Sequence, residues 1–386
     1  MSVNIINQYR EFWRQEKLRF SPQITILAVG DIMLSRGVGE KIARYGPGYP
    51  FVHVSSLLKQ EQIVFGNLEC PISSRGVPVP FVQSNFRADP IAVKGLVRAG
   101  FKVLSLANNH IYDYGPEAVY DTLKYLRDNG IAAVGVGRSF EEAREPAVIY
   151  ISGVKIAFLA YTSAYNVVDS KHEYVAAPIN LEWIRQDIQR VKQQADFCIV
   201  SLHFGYENVE YPIPECRHQA RAIVDFGADL VLGHHPHVIQ GMEVYKKGFI
   251  AYSLGDFVFD NLTDRRRQSL ILKASFGREG IQKIELLPIW INDQYQPEVA
   301  PKELANSILA KVKELSQYLE NGSSDNKFWE AAGKRFISDQ KLGLLRSIRR
   351  DGIKAIFIRL KHLRLFHLKL LGASVLTQVR RIMKKV

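Results

Sequence analysis

The feature that most constrains the fold of this chain is a repeated unit, in which a short apolar run ends in polar residues and a helix-like stretch follows. The seven runs are residues 24–29, 63–65, 103–106, 156–160, 197–202, 230–232 and 249–254. Their length and their β-branched residues favour buried strands. Between the runs, residues such as Asn180, a preferred N-cap, mark where helices begin. Strands that alternate with helices predict a layered α/β body.

Polar side chains that suit metal binding follow nearly all of these runs. They are Asp31 after the first run, Asn67 and Glu69 after the second, Asn108, Asn109, His110 and Asp113 after the third, His203, Tyr206 and Glu207 after the fifth, His234, His235 and His237 after the sixth, and Asp256 after the seventh. Ligands of α/β folds gather at the carboxyl ends of the strands, so these side chains are expected to meet at one edge. Imidazole, carboxylate and amide groups together suit Mn, Fe or Zn. Any one residue alone would more simply cap a helix or complete a turn, but the ensemble favours a metal site.

The segment GHHPH, which follows the sixth run, holds three neighbouring histidines. Pro236 is expected to restrict His235 to an extended conformation. In an extended chain, residues two apart point the same way. His235 and His237 are therefore predicted to share one site, and His234 is predicted to face away from it.

The sequence pattern divides the chain into four predicted segments. Residues 1–22 are predicted to form an amphipathic helix, and residues 23–295 the α/β domain. The strand pattern then stops, so residues 296–340 are predicted to be a helical segment with a linker. Residues 341–386 are predicted to form a basic amphipathic tail.

The basic character of the chain is confined to this tail. The 386 residues carry a formal net charge of +12, and residues 341–386 hold 13 lysines and arginines against a single acid, so the remainder is neutral. A polyanionic partner is therefore expected for the tail alone. Apolar residues recur in it at helical spacing, which favours an anionic membrane surface. A helix docked on the body and an anionic polymer are the alternatives. Nucleic acid is not expected, because few aromatic residues are present for base stacking.

The expected location is the cytoplasm, with peripheral attachment at the inner face of the membrane. The first 20 residues are rich in charge and lack an apolar core, so no signal peptide is expected. No run approaches 18 uncharged apolar residues, so no spanning helix is expected either. Cys70, Cys198 and Cys216 are too scattered for a disulfide scaffold.

Seven stretches of the chain resemble the motifs of the CapA family, the bacterial poly-gamma-glutamate capsule synthesis proteins of the calcineurin-like metallophosphoesterase superfamily. The stretches are GDIMLSRGV, GNLECPIS, NFRADP, NNHIYDYG, HFGYE, GADLVLGHHPHVIQG and YSLGDFVFD, and they span about residues 24–262. The resemblance implies a metallo-dependent phosphatase-like four-layer α/β/β/α sandwich, with a helical C-terminal extension in this chain. It also implies a site for two divalent metal ions.

The resemblance further implies a role for each motif residue. The implied metal ligands are Asp31 and His237 for one ion, Asn109, His203 and His235 for the other, and Glu69 as the bridge between them. His110 would be the acid that faces the leaving group, and Asp113 would orient its imidazole. Such a paired site can polarise a phosphoryl oxygen and generate hydroxide at neutral pH. Asn67, Arg87, Glu207 and Asp256 are predicted to contact the substrate.

Two positions depart from the pattern of these proteins. The superfamily begins its site with Asp-x-His, but this chain has Met33 where the histidine would be a ligand, which predicts a weaker first metal site. The family usually writes YSLGNF, but this chain has Asp256 in place of the asparagine. That exchange adds a carboxylate near the site.

Two functions remain open from the sequence. The first is a metal-dependent hydrolase of a phosphoester or similar anionic bond in capsule, poly-gamma-glutamate or cell-envelope polymer synthesis, with an anionic polymer or phosphoester as its substrate. The second is a non-catalytic accessory or scaffold component that serves a capsule synthase or exporter. The presence of Glu69, His110 and Asp113 favours the enzyme, and Met33 favours the scaffold.

Overall fold

The computed structural model describes residues 3–4, 24–80, 84–163, 174–260, 263–278 and 280–335. The strands are, in chain order, β1 (Val3–Asn4), β2 (Ile24–Ile32), β3 (Ile63–Leu68), β4 (Val103–Ser105), β5 (Ala132–Val134), β6 (Val136–Gly137), β7 (Ala147–Ile151), β8 (Val154–Thr162), β9 (Val175–Ala176), β10 (Phe197–His203), β11 (Leu230–His234), β12 (Met242–Tyr245), β13 (Gly248–Ala251), β14 (Asp256–Val258), β15 (Gln268–Gly277), β16 (Gly280–Ile291) and β17 (Pro297–Val299). Each of the seven apolar runs coincides with one of these strands.

The helices connect the strands and cover the sheets. They are α1 (Arg36–Tyr45), α2 (Ser55–Leu58), α3 (Val93–Ala99), α4 (Gly115–Asp128), α5 (Phe140–Ala143), α6 (Leu181–Lys192), α7 (Pro214–Asp225) and α8 (Lys302–Glu320), with short 3₁₀ turns at Tyr49–Phe51 and Pro90–Ala92. The predicted N-cap of α6 is confirmed, because the Asn180 side chain accepts hydrogen bonds from the backbone N–H groups of Glu182 and Trp183, both at 3.1 Å.

Two mixed sheets form the body. The first has the strand order β1-β16-β15-β2-β3-β4-β5, with β14 beside β2 and β17 beside β16. Strands β2 to β5 run parallel to one another, whereas β15 and β16 are antiparallel. The second sheet has the order β12-β13-β11-β10-β8-β7, and its strands β8, β10, β11 and β13 are parallel. Strands β6 and β9 pair separately.

The two sheets pack face to face through a shared apolar layer. Ile26 and Phe65 of the first sheet and Phe158 and Ile199 of the second sheet belong to one buried cluster. The rings of Phe65 and Phe158 stack across the layer at 5.6 Å between centroids. Burial of one side chain of this size stabilises the fold by about 1.5–3 kcal/mol. This layer therefore holds the two sheets together.

Helices cover the outer face of each sheet. On the first sheet, Val64 is buried in one cluster with Val38 of α1 and Leu96 of α3. On the second sheet, Ile184 of α6 and Ile223 of α7 share a cluster with the outward-facing residues of the strands. The order helix, sheet, sheet, helix confirms the predicted four-layer α/β/β/α sandwich.

The C-terminal extension is helical as far as residue 335. Ile308 and Val312 of α8 are buried in the layer between the sheets, so this helix packs against the body. Residues 324–335 form a further helical stretch, in which Phe328 packs with Val209.

The structure changes the predicted segments in two places. Val3–Asn4, inside the helix predicted for residues 1–22, is a strand paired with β16, and residues 5–23 lie outside the described residues. Pro297–Val299 also pairs with β16, so the sheet continues past the boundary predicted at residue 295. The tail predicted at residues 341–386 lies outside the described residues. Among the helices that the structure describes, none combines the length and apolar character that crossing a bilayer demands.

One tight turn lies at the start of β8. Ile151 of β7 pairs with Val154 of β8, so only Ser152 and Gly153 connect the two strands. Both have positive φ, 49° and 83°, as a two-residue hairpin of type I′ requires. The space where Gly153 would carry a Cβ is open, with no atom within 4 Å.

Candidate metal centre

The candidate site lies where parallel strands of both sheets end. Asp31 of β2 is in register with Asn67 of β3, and His203 of β10 is in register with His234 of β11. Asp256 opens β14 and pairs with Asp31. Residues that are far apart in the sequence are therefore brought to one edge by the sheet topology, as the carboxyl-end rule predicts.

Asp31 is the centre of a buried hydrogen-bond network. Its Oδ1 accepts from Asn67 Nδ2 at 2.9 Å and from His234 Nδ1 at 3.1 Å, and its Oδ2 accepts from the His235 backbone N–H at 3.1 Å. Burial raises the pKa of Asp31, but the hydrogen bond from His234 and the neighbouring histidine charges outweigh burial and lower that pKa overall. Asp31 is thus held as a carboxylate.

Glu69 lies in a cage of imidazoles. Its Oε1 is 3.6 Å from His237 Nε2, 3.8 Å from His203 Nε2 and 4.0 Å from His110 Nε2. The side chain is fully buried, and neither carboxylate oxygen has a hydrogen-bond partner. Burial, and then the charges of Asp31 and Asp256, raise the pKa of Glu69 well above its ordinary value. A protein interior rarely leaves a carboxylate in this condition.

His203 has a defined orientation. Its Nε2 lies 2.8 Å from Asn109 Oδ1, and its Nδ1 lies 3.3 Å from Asn67 Nδ2. Burial and the charge of His235 lower the pKa of His203 well below its ordinary value. The imidazole is therefore neutral at physiological pH, which is the form that binds metal ions.

His235 and His237 share the site, but the predicted reason is wrong. Their φ angles are 94° and 57°, so the backbone before and after Pro236 is not extended. The two ring centroids nevertheless lie 5.9 Å apart, and His235 lies 4.8 Å from His203. Burial lowers the pKa of His235 to about 4, and its Nδ1 is buried without a partner. Positive φ at two histidines is backbone strain of the kind found at functional sites.

The prediction that His234 faces away is also wrong. Its ring is buried, donates to Asp31 and lies 6.2 Å from the ring of Phe65. The left-handed backbone at His235 breaks the alternation on which that prediction depended. His234 therefore orients Asp31.

Asp256 connects His237 to a buried arginine. Its Oδ1 accepts from His237 Nδ1 at 2.8 Å, and its Oδ2 accepts from Arg266 Nε at 2.9 Å. Burial lowers the pKa of His237, but the charge of Asp256 outweighs burial and raises it overall. Both oxygens of Asp256 are therefore engaged by protein groups, and the carboxylate holds the His237 ring with its Nε2 towards Glu69.

His110 and Asp113 form a pair beside this cage. His110 Nδ1 donates to Asp113 Oδ2 at 2.7 Å, and the same oxygen accepts from the backbone N–H of Phe86 at 2.7 Å. The imidazole stacks on the Phe86 ring at 4.0 Å between centroids. Burial raises the pKa of Asp113. The pair fixes the ring so that Nε2 faces Glu69, as an acid and its orienting group would require.

The residues predicted to contact the substrate lie in different environments. Asn67 belongs to the buried network. Glu207 is exposed as a residue, although protein surrounds its carboxyl group. The burial of that carboxyl group raises its pKa, but the charges of His237 and His235 outweigh burial and lower it overall. Arg87 donates to the backbone carbonyls of Arg75 at 2.9 Å and Gly76 at 3.3 Å. The substrate-binding role of these residues stays a prediction.

Met33 does not contribute a ligand atom to the network. Its side chain is fully buried in the apolar cluster under the helices of the first sheet. Its sulfur accepts hydrogen bonds from the Ser35 backbone N–H and hydroxyl, both at 3.2 Å. The position at which the resemblance implied a histidine ligand is thus part of the core here.

The donor groups fit a divalent cation. In the described part of the chain, two sets of three residues place their ligand atoms within 4.8 Å of one another: Glu69, His235 and His237, and Asp31, His237 and Asp256. The two bare oxygens of Glu69 and the free Nδ1 of His235 are buried acceptors that a cation would satisfy. Mixed nitrogen and oxygen donors of this kind suit Mn, Fe or Zn.

Comparison with known proteins identifies the family to which the chain is similar. The sequence model of the family described as bacterial capsule synthesis protein PGA_cap matches residues 25–261. A capsule biosynthesis protein CapA of Bacillus anthracis is 34% identical over 76% of this chain and 72% of its own length. A PGA biosynthesis protein CapA of Bacillus subtilis is 32% identical over 75% and 77%. A Mycobacterium tuberculosis protein, whose name includes the words polyglutamine synthesis accessory protein, is 26% identical over 61% and 74%.

Proposed function

The chain belongs to the family of bacterial capsule synthesis proteins, and we propose that within it the chain is a metal-dependent hydrolase of a phosphoester or similar anionic bond. Its place would be the synthesis of capsule poly-γ-glutamate or of another cell-envelope polymer. The observation that carries the proposal is Glu69, a buried carboxylate without a hydrogen-bond partner, with three imidazole Nε2 atoms at 3.6–4.0 Å. A divalent cation supplies the charge that this arrangement lacks.

Two ions would share the donors around Glu69. Asp31 and His237 would hold one, Asn109, His203 and His235 the other, and Glu69 would lie between them. Divalent ions held by these residues would polarise a phosphoryl oxygen and lower the pKa of bound water. Asp256 and His234 would act indirectly, because each fixes the orientation of a ligand by a hydrogen bond.

His110 would supply the proton for the leaving group. Its Nδ1 is fixed by Asp113 and its ring by Phe86, so Nε2 is the atom free to exchange a proton. The ring is partly accessible, with 14% of the side chain exposed, whereas the Asp113 carboxylate is buried. From this partly exposed position, His110 would protonate the departing oxygen, which would otherwise leave as an anion.

A second candidate function is that of a non-catalytic accessory component of a polymer synthase. It is favoured by Met33, because a core methionine replaces a superfamily ligand and weakens the first metal site. In that case the metal, if bound, would stabilise the fold without turnover. The two functions differ in one measurable property, which is metal-dependent hydrolysis.

The test is hydrolysis of bis(p-nitrophenyl) phosphate and p-nitrophenyl phosphate by the full chain with Mn²⁺. We expect turnover that a chelator abolishes. His110→Asn should lower this turnover by about 10²–10⁴-fold, because only proton delivery is removed. Elemental analysis should find the same metal content in this variant as in the wild-type protein.

The exposed His53 offers a matched control, and His53→Asn should leave turnover unchanged. Metal bound at full stoichiometry without hydrolysis of either ester would favour the accessory function. Equal turnover in His110→Asn and the wild-type protein would remove His110 from the mechanism.

A further inference from the structure

Arg266 is a buried arginine with an unused donor beside the metal centre. Only 6% of its side chain is exposed, and its Nε donates to Asp256. Its Nη2 is buried and has no hydrogen-bond partner. The charge of Asp256 keeps the pKa of Arg266 above its ordinary value despite burial, so the guanidinium is charged. A buried, charged N–H donor without an acceptor is costly, and a ligand oxygen would remove that cost.

The covalent geometry of the guanidinium tells which way this donor points. Nε–H and one Nη2–H share an edge of the planar group and point in the same direction, as the arginine fork requires. Arginine usually grips a carboxylate with both donors of this edge. Here Asp256 takes only the Nε–H, because its other oxygen accepts from His237. Nη2 therefore faces the side on which Asp256 and His237 lie.

Phe259 places this guanidinium next to the reacting groups. The Arg266 guanidinium carbon lies 4.7 Å from the centroid of the Phe259 ring, and the His237 ring lies 5.1 Å from it on an edge-on approach. Phe259 also packs edge-on against Phe86, at 5.9 Å, and Phe86 stacks on His110. The two phenylalanines thus form a wall that joins the metal centre to the acid pair.

A second arginine lies along the same wall. The guanidinium carbon of Arg36 is 4.5 Å from the Phe86 ring centroid and 5.9 Å from that of Phe259. Asp260 pairs with Arg36 and fixes its position, while 35% of the Arg36 side chain remains exposed. Arg36 therefore lies at the outer side of the wall, paired with Asp260, and Arg266 lies at its inner side with Nη2 unpaired.

We propose that Arg266, with Arg36 at its outer flank, forms an oxyanion-binding subsite that takes one phosphate or carboxylate group of the substrate. The proposal rests on the proposed function, since it names the group that the hydrolase would hold. Arg266 is not among the substrate contacts predicted from the sequence. The arginine predicted there was Arg87, whose guanidinium is engaged by two backbone carbonyls. Guanidinium groups bind both oxyanions with paired N–H donors.

Calorimetric titration of the full-length protein with inorganic phosphate tests the subsite, with Mn²⁺ present and again after treatment with a chelator. Arg266→Lys keeps the charge next to Asp256 but removes the free Nη2, and Arg36→Met removes the outer charge. We expect Arg266→Lys to weaken phosphate binding by about tenfold or more, because a charge-assisted hydrogen bond to the oxyanion is lost. We expect Arg36→Met to weaken it by about threefold or more, because Asp260 partly neutralises the Arg36 charge. Titration with a γ-linked glutamyl dipeptide shows whether a carboxylate binds in its place.

Arg265→Met is the matched control, because Arg265 is exposed and adjacent in sequence, and it should change phosphate affinity by less than about twofold. Phosphate and dipeptide affinities that stay at the wild-type level in both Arg36→Met and Arg266→Lys would overturn the proposal, as would absence of binding by the wild-type protein. Arg36 lies on the surface, so Arg36→Met still tests the proposal if Arg266→Lys folds poorly. Phosphate binding does not require catalytic turnover. Failure of the hydrolase proposal is therefore detected separately, in the ester hydrolysis assays.

Discussion

Glu69 lacks the hydrogen-bond partners that a buried carboxylate normally has. A buried carboxylate normally has an arginine, a lysine or several N–H donors within hydrogen-bond distance. Glu69 instead has three imidazole nitrogens just beyond that distance and two bare oxygens. We therefore expect this side chain to destabilise the metal-free fold and a bound cation to offset that cost.

Glu69→Gln is expected to have opposite effects on metal binding and on stability. It should lower the affinity for Mn²⁺ at least tenfold, because the central negative charge is lost. It should also raise the free energy of unfolding of the metal-free protein by about 1–2 kcal/mol, since an amide is less costly to bury than a carboxylate. Calorimetric titration and urea denaturation measure the two quantities.

The stability that Glu69→Gln adds to the metal-free protein should also depend on pH. The pKa of Glu69 is raised by burial and by Asp31 and Asp256, so the folded protein holds this proton more tightly than the unfolded chain does. Its destabilising effect is absent below the unfolded pKa of about 4 and grows as the pH rises towards the folded pKa. The difference between variant and wild-type stability should thus be larger at pH 8 than at pH 4. The exposed Glu40→Gln is the control, and a difference independent of pH would contradict the explanation.

Single residues of the site were predictable where a motif names them and unpredictable where the backbone departs from regular geometry. Asp31, Glu69 and His203 meet because they follow strands, and strand ends can be read from the sequence. His234 was missed, because its orientation depends on a φ of 94° at the next residue, and X-Pro sequences favour extended backbone there. Arg266 was missed because it lies in no motif and becomes meaningful only through its contact with Asp256.

At the scale of elements, the sequence predicted the parallel strands well and the antiparallel ones poorly. Parallel strands are buried on both faces, so they read as continuous apolar runs such as that of β10. β16 alternates between buried and half-buried residues, and it was not recognised as a strand of 12 residues. β17 extends the sheet past the predicted boundary at residue 295, and it gave no strand signal because it is short and carries a proline.

The start of α6 offers a test of an element whose boundary was predicted. Asn180→Ala removes the acceptor for two backbone N–H groups and should lower the free energy of unfolding by about 1 kcal/mol. Urea denaturation measures the change. Gln189→Ala, on the exposed face of the same helix, is the matched control and should change stability by less than half as much. Equal effects of both substitutions would mean that the cap is not important for stability.

At the scale of the whole molecule, the candidate centre draws its donors from both sheets. Asp31 and Glu69 come from the first sheet and the segment after it, and His203 and His237 from the second sheet and the segment after it. The apolar layer that contains Phe65 and Phe158 also joins the two sheets. Metal binding should therefore stabilise the packing of one sheet on the other by mass action.

The tail is strongly basic, whereas the rest of the chain is neutral. We propose that residues 341–386 bind an anionic membrane surface. Each cation near such a surface contributes about 1 kcal/mol, so a fraction of the 13 suffices. The full chain should sediment with phosphatidylserine vesicles and not with neutral ones, and salt should weaken the binding. A chain that ends at Gln340 should remain in the supernatant.

The outcome of this sedimentation assay separates the partners considered for the tail. Equal sedimentation of the full and shortened chains with anionic vesicles, or of neither, would contradict a membrane role for these residues. Binding of soluble polyglutamate by the full chain alone, without sedimentation, would identify the polymer as the partner instead.

The hairpin turn at Ser152 and Gly153 lies at the opposite end of β8 from the metal centre. β8 spans nine residues, which is about 30 Å at about 3.3 Å per residue, and at its far end Thr162 donates to the His203 carbonyl. The turn is short, and the space around Gly153 is open. A fluorophore or affinity peptide attached there would leave the donor groups, the phenylalanine wall and both chain termini untouched. The protein therefore has a built-in attachment point from which its location in the cell can be followed by microscopy.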